Sequence, residues 1–136
     1  MSTPSLNSTI KSFHHVAVKS VDYDKSFHFY TVGLGLKCVF EKGEGDHRMA
    51  FLELPDGSNI ELFAGGTGAE PVGGWGHLSF LVDDADAAFE AAIQAGGTPR
   101  HEPADGVLTG KPADMLIRTS FVLGPDKEII EYLQLR

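Results

Sequence analysis

The chain is poor in cysteine and in positive charge. It has 136 residues and a single cysteine, Cys38, which excludes an intrachain disulfide and makes a reducing cytoplasm the expected location. Lys and Arg total 11 against 19 Asp and Glu, so the formal net charge is -8 at pH 7, and there is no run of Lys or Arg. This charge balance argues against nucleic acid or an anionic membrane surface as a partner.

Long apolar runs are also missing. No stretch approaches the length of a membrane span, and the N-terminus lacks the apolar core of a signal peptide. The remaining composition, 42% hydrophobic and 22% charged, is ordinary for a globular protein. We therefore expect a flexible leader over residues 1–9, followed by a single domain over residues 10–136 that is large enough to bury a core.

Four apolar stretches predict β-strands that contain His or Glu, which strand interiors normally avoid. The candidate side chains follow one another in the order His15, Glu61, His77 and Glu131. Two imidazoles and two carboxylates form a complete ligand set for a borderline divalent metal such as Ni, Zn, Co or Fe. An ionised carboxylate on an inward strand face is costly without a cation or hydrogen bonds, and two carboxylates neutralise a divalent ion.

The other histidines fit the metal site less well. His14 faces away from His15, because successive side chains of a strand alternate between its two faces. His28 falls within a predicted helix, and His47 and His101 fall in loop-like or edge stretches. We interpret these four as packing or solvated residues.

The pattern of elements occurs twice along the chain. Each half predicts a strand, a helix and three further strands, with Asp22 capping the first helix and Asp83 or Asp84 the second. The predicted strands cover residues 10–19, 36–41, 48–54, 58–63, 75–82, 98–102, 115–123 and 129–135, with helices from Asp22 through Tyr30 and from Asp84 to Gly96, and a long loop over Pro103–Asp114. The histidines hold matching places in the first strand of each half, and the glutamates in the last strand. We therefore predict an α+β fold of two βαβββ modules, about residues 10–64 and 75–136.

Several motifs resemble those of the vicinal oxygen chelate superfamily, which includes glyoxalase I, bleomycin-resistance and fosfomycin-resistance proteins, methylmalonyl-CoA epimerase and extradiol dioxygenases. The motifs are His14-His15-Val16-Ala17 before Asp22, Phe29-Tyr30 with Gly33-Leu34-Gly35, Ile60-Glu61-Leu62, Gly76-His77-Leu78, and Gly124-Pro125-Asp126 leading to Ile130-Glu131. Together they cover nearly the whole chain after the leader.

The resemblance implies a fold, a cofactor and a chemistry. Each βαβββ module would be a half-barrel around a metal pocket, often shared between the chains of a homodimer. His15, Glu61, His77 and Glu131 match the four metal positions of glyoxalase I-like lyases. The implied reaction isomerises the hemithioacetal of methylglyoxal and a thiol to a thioester, with Glu131 and Glu61 as base and acid and Glu131 the favoured base.

The substrate-binding residues depart from the glyoxalase I pattern. Lys19 stands where that enzyme usually has an Arg for glutathione, and Ala64-Gly65-Gly66 replaces an expected Asn. Lys111, Arg100 and Arg118 supply positive charge elsewhere. We predict Lys19, Lys111 and Arg118 as substrate-binding residues, with the identity of the thiol left open.

Other members of the superfamily provide alternative functions. A methylmalonyl-CoA-type epimerase usually has Gln where Glu61 stands, and extradiol dioxygenases have longer chains and use two His and one Glu. Fosfomycin thiol transferases also use three ligands, which leaves Glu61 unexplained. A metal-free binding protein of the bleomycin-resistance type would lack ligands, whereas all four are present here.

Overall fold

The computed structural model describes residues 10–70, 72–124 and 127–136. The predicted leader over residues 1–9 and the centre of the predicted turn Gly124–Lys127 lie outside the described residues. The described residues contain eight strands and two α-helices, with short π-helical and 3₁₀ segments. No helix among them is long and apolar enough to cross a membrane.

The order of elements matches the predicted repeat, and each half combines parallel with antiparallel strand pairs, so the α+β fold class is confirmed. The strands are β1 (Ile10–Lys19), β2 (Lys37–Lys42), β3 (Met49–Glu53), β4 (Asn59–Phe63), β5 (Trp75–Val82), β6 (Thr98–Leu108), β7 (Met115–Leu123) and β8 (Ile129–Leu135). The helices are α1 (Tyr23–His28), extended by a π-helical turn over Phe29–Gly33, and α2 (Ala85–Gln94).

One predicted element is wrong in part. The long loop expected over Pro103–Asp114 is strand as far as Leu108. Pro103 and Gly106 usually interrupt strands, but β6 is hydrogen-bonded beside β7, and at Gly106 a side chain would meet Ile117 at 3.6 Å. Packing against a neighbouring strand overrides local preference here, as it often does in sheets.

The chain divides into two compact units that do not follow the order of the sequence. The His15 unit contains residues 15–76 and 108–114, and the His77 unit contains the described residues of 1–14, 77–107 and 115–136. Residues 108–114 join the His15 unit through Lys111, whose backbone N–H and carbonyl both bond to Glu41 of β2 at 2.7 and 2.8 Å. β1 contributes its first half to one unit and its second half to the other.

In the His15 unit, β4 runs parallel to β1 and antiparallel to β3, which pairs in turn with β2. One face of these strands packs on α1 to form a core of Tyr23, Ala50, Leu52, Leu62 and Ala64. Asp22 caps the helix as predicted, because its carboxylate accepts a hydrogen bond from the Lys25 N–H at 3.1 Å. The opposite face of the strands is left for His15 and Glu61.

The His77 unit repeats this arrangement. β8 runs parallel to β5 and antiparallel to β7, and α2 covers one face of these strands. Ala85, Ala88 and Ala92 line the packed side of α2, since small side chains allow a helix to approach a sheet closely. Of the two predicted caps it is Asp84 that accepts from the Ala87 N–H, at 3.1 Å.

The core of the His15 unit can be tested at Leu62, which is fully buried on β4. We expect Leu62→Ala to lower the free energy of unfolding by about 2–5 kcal/mol, because it removes buried methyl groups and leaves a cavity. Val32→Ala, at a side chain that is 71% exposed, is the control and should change it by less than about 0.5 kcal/mol. Equal effects in denaturant unfolding would contradict the assigned core.

Candidate metal centre

His15 and Glu61 lie together in the His15 unit. The parallel register of β1 and β4 pairs Ala17 with Glu61, so His15, two residues earlier, presents its side chain on the same face. His15 Nε2 lies 3.0 Å from Glu61 Oε1. His15 is 2% exposed and Glu61 6%, so both groups are removed from bulk water.

His77 and Glu131 repeat this geometry in the His77 unit. The parallel register of β5 and β8 pairs Ser79 with Glu131, and His77 again stands two residues before that pair. His77 Nε2 lies 3.5 Å from Glu131 Oε1. Glu131 is 7% exposed. The matching places that the sequence predicts for the four residues are therefore matching positions in the strand registers of the two units.

An aromatic ring accompanies each pair. Phe51 is opposite Glu61 in the β3–β4 register, and Phe121 is opposite Glu131 in the β7–β8 register. The Phe51 ring lies 5.2 Å from the His15 ring, and the Phe121 ring lies 5.8 Å from the His77 ring, measured between centroids. Each unit thus places an aromatic ring beside the imidazole, and low polarity nearby strengthens electrostatic interactions.

The donor set fits a divalent ion. Nitrogen and oxygen ligands at about 2.0–2.2 Å from a metal lie about 2.9–3.6 Å from one another in octahedral or tetrahedral geometry. The separations in the two pairs, 3.0 and 3.5 Å, fall in this range. Buried carboxylates are normally paired or coordinate metals. Within each unit, the His and Glu atoms are spaced as two ligands of one ion would be.

Thr119 is a site residue that the sequence analysis missed. Its hydroxyl donates a hydrogen bond to Glu131 Oε2 at 2.8 Å. Thr119 stands two residues before Phe121 on β7 and so shares its face, which the alternation of strand side chains could have revealed. A threonine in a strand is too common for that signal to be specific.

The predicted substrate-binding residues lie in different environments. Lys19 ends β1 and is exposed, and Lys111 is exposed beside β2, both in the His15 unit. In the His77 unit, the Arg118 guanidinium donates to both carboxylate oxygens of Asp86, at 2.7 and 2.9 Å, and to Asp105 at 3.3 Å. These bonds raise the pKa of Arg118 and hold the pKa of Asp86 below its usual range.

The histidines interpreted as packing or solvated residues are mostly exposed. His28, His47 and His101 are exposed, and His14 is half-buried on β1. The His101 ring lies 5.7 Å from the Phe121 ring, which also contacts the His77 ring. No motif in the sequence predicts this proximity.

Comparison with known proteins identifies the family. A model of the glyoxalase/bleomycin resistance protein/dioxygenase superfamily matches residues 12–127. The chain belongs to this superfamily. Its members usually bind a divalent metal and act on small molecules, in agreement with the donor set described above.

The chain is also similar to individual proteins of known sequence or structure. The chain is 33% identical over 127 residues to a "Probable lactoylglutathione lyase" of Vibrio cholerae, covering 88% of each chain. It is 30% identical to the "Uncharacterized protein YwkD" of Bacillus subtilis, covering 90% of this chain and 95% of that protein. A crystal structure of methylmalonyl-CoA epimerase from Mycobacterium tuberculosis matches with a TM-score of 0.70 at 23% identity, over 98% of this chain and 92% of that one, which shows a common fold.

The ion pairs of Arg118 can be tested by the pH dependence of thermal stability. Because the pKa of Asp86 is lower in the folded state, the stabilisation is present above the unfolded value of about 3.9 and is lost as pH falls through the folded value. We expect Arg118→Gln to unfold at a lower temperature than the unaltered protein at pH 7, and the difference to shrink as pH falls below the unfolded value of the Asp86 pKa. Equal melting temperatures at pH 7 would contradict a structural role for this residue, and an accompanying rise in KM would support the predicted role in substrate binding.

Proposed function

We propose that the protein is a glyoxalase-like, metal-dependent lyase that isomerises the hemithioacetal of a 2-oxoaldehyde and a thiol. The observation that carries the proposal is the repeated pair of a buried Glu beside an imidazole, at the same strand register in both units. The relative from Vibrio cholerae, named for lactoylglutathione lyase, supports the same reaction class.

The proposed cofactor is one divalent ion, Ni, Zn, Co or Fe. We propose His15, Glu61, His77 and Glu131 as its ligands, a set of two imidazoles and two carboxylates. Such mixed nitrogen and oxygen ligands suit these metals. When bound, the ion would polarise a substrate oxygen and stabilise the negative charge that develops there.

The chain's own groups would move the proton. In the proposed reaction a carboxylate takes the proton from the carbinol carbon of the hemithioacetal, and a proton is returned to the adjacent carbonyl carbon. The hydroxyl proton passes to the other oxygen, so the product is a hydroxy-thioester and nothing is oxidised overall. Glu131 is the favoured base and Glu61 the acid. The Phe51 and Phe121 rings beside the two pairs would limit the access of water.

Specific residues distinguish the proposed lyase from two other functions. An epimerase of the methylmalonyl-CoA type also transfers a proton beside a carbonyl, but the Glu at position 61 favours the lyase. A binding protein of the bleomycin-resistance type needs no metal ligands. In such a protein no metal ion would offset the cost of burying both carboxylates.

The proposal is tested by metal binding and by activity together. Mass spectrometry of the untagged protein, followed by titration of Ni, Co, Zn and Fe into the stripped protein, should show tight binding of about one ion per site. His77→Ala and Glu131→Ala should both lose it, since each removes a ligand. His28→Ala, on the exposed side of α1, is the control and should bind as the unaltered protein does.

Activity then distinguishes the substrates. The loaded protein should form a thioester from methylglyoxal with glutathione or another thiol, and the two ligand variants should lose this activity by at least about 100-fold. Racemisation of methylmalonyl-CoA without thioester formation would favour the epimerase instead. Failure of the intact protein to bind any of the four metals would contradict the catalytic proposal.

We also propose a homodimer in which each site takes residues from both chains, as the family resemblance implies. Mixing His15→Gln and His77→Gln chains, each inactive alone, should then restore activity, because half of the sites in a mixed dimer would be complete. Sedimentation of the protein as a monomer, or no recovery of activity on mixing, would contradict shared sites.

A further inference from the structure

We infer that Thr119 is a positioning residue that fixes the orientation of the Glu131 carboxylate for metal binding and proton transfer. This inference rests on the proposed function, because it gives Thr119 a role towards a residue proposed as ligand and base. All of the groups involved lie in the His77 unit.

The two oxygens of Glu131 have different partners. Oε2 accepts a hydrogen bond from the Thr119 hydroxyl at 2.8 Å, while Oε1 faces His77 Nε2 at 3.5 Å. The Thr119 hydroxyl also lies 3.2 Å from the carbonyl of Tyr132, but it carries one proton. The proton belongs with the carboxylate, since a charged acceptor at the shorter distance makes the stronger bond.

The backbone holds this contact in place. Thr119 is opposite Leu133 in the β7–β8 register, which makes it the diagonal neighbour of Glu131 on the same face. A β-branched side chain has a restricted χ1 torsion in a strand, so the hydroxyl has few other places to point. Glu131 is 7% exposed, so little water is present to compete for Oε2.

The repeat provides an internal comparison. Met49 occupies the place in the β3–β4 register that Thr119 occupies in β7–β8, because Met49 is opposite Phe63, two residues beyond Glu61. A methionine thioether cannot donate a hydrogen bond. The two carboxylates are therefore related by the repeat but not equivalent, and a hydroxyl is supplied from this place to Glu131 alone.

This asymmetry gives Glu131 a distinct task. With Oε2 held by Thr119, Oε1 is the oxygen that lies beside the His77 imidazole, and we assign it as the ligand atom. A base that abstracts a proton from carbon also needs a fixed position relative to its target. Hydrogen bonds to ligating carboxylates typically contribute about 10–100-fold to metal affinity or activity.

The test compares three variants of the full-length protein. Thr119→Val keeps the branched shape and removes the hydroxyl, whereas Thr119→Ser keeps the hydroxyl. Ser120→Ala is the matched control, because the adjacent Ser120 hydroxyl is buried but bonds to the Ala85 carbonyl on the opposite face. Calorimetric titration of Ni or Zn into stripped protein measures the dissociation constant, and steady-state kinetics measure kcat and KM separately.

We expect Thr119→Val to weaken metal binding by about 10-fold or more and to lower kcat more than it raises KM. Thr119→Ser should retain most of the metal affinity and most of kcat. Ser120→Ala should alter thermal stability without changing metal affinity or kcat. Equal metal affinity and kcat in the unaltered protein and Thr119→Val would overturn the inference while leaving the proposed function intact.

A measurement on metal-free protein tests the contact between Thr119 and Glu131 separately from the proposed function. In stripped protein, the effects of Thr119→Val and Glu131→Ala on the melting temperature should not be additive, because each change removes the same hydrogen bond. Additive effects would overturn the contact itself. If the unaltered protein binds no metal, the proposed function is contradicted and the role of Thr119 in metal positioning falls with it, whatever the melting temperatures show.

Discussion

The burial of two carboxylates is the constraint on which the rest of the structure depends. Glu61 and Glu131 lie on strands with less than a tenth of their surface exposed. Removing an ionised carboxylate from water is costly unless a cation or hydrogen bonds replace the lost hydration. An imidazole from the adjacent parallel strand stands beside each one. A divalent ion bound between such groups would compensate for the cost of burying them.

The parallel strand pairs explain how residues so far apart in sequence come together. Parallel strands require a long connection, and in each unit that connection contains the helix and two further strands. The helix covers the apolar face of the strands, leaving the other face for the His and Glu side chains. A shift of one residue in either register would turn the site residues towards the helix. Core packing and site assembly are therefore consequences of the same register.

Much of the fold and the candidate ligands could be predicted from the sequence because their signals are local. Helix caps such as Asp22 and the period of the strands depend on neighbouring residues, and a Glu inside an apolar strand stands out wherever it occurs. The length of β6 could not be predicted, because pairing with β7 overrides the preferences of Pro103 and Gly106. The partners of Arg118 were equally inaccessible, since Asp86 comes from another element. Thr119 was missed for the same reason: its contact with Glu131 appears only when β7 is aligned with β8.

We propose that both His–Glu pairs bind the same ion. Anomalous diffraction from crystals of the nickel-loaded or zinc-loaded protein, recorded at the metal edge, tests it most directly. The account predicts one ion per site with two imidazole nitrogens and two carboxylate oxygens as ligands, whether these come from one chain or from two. An ion bound by only one of the pairs, or bound away from both, would contradict it.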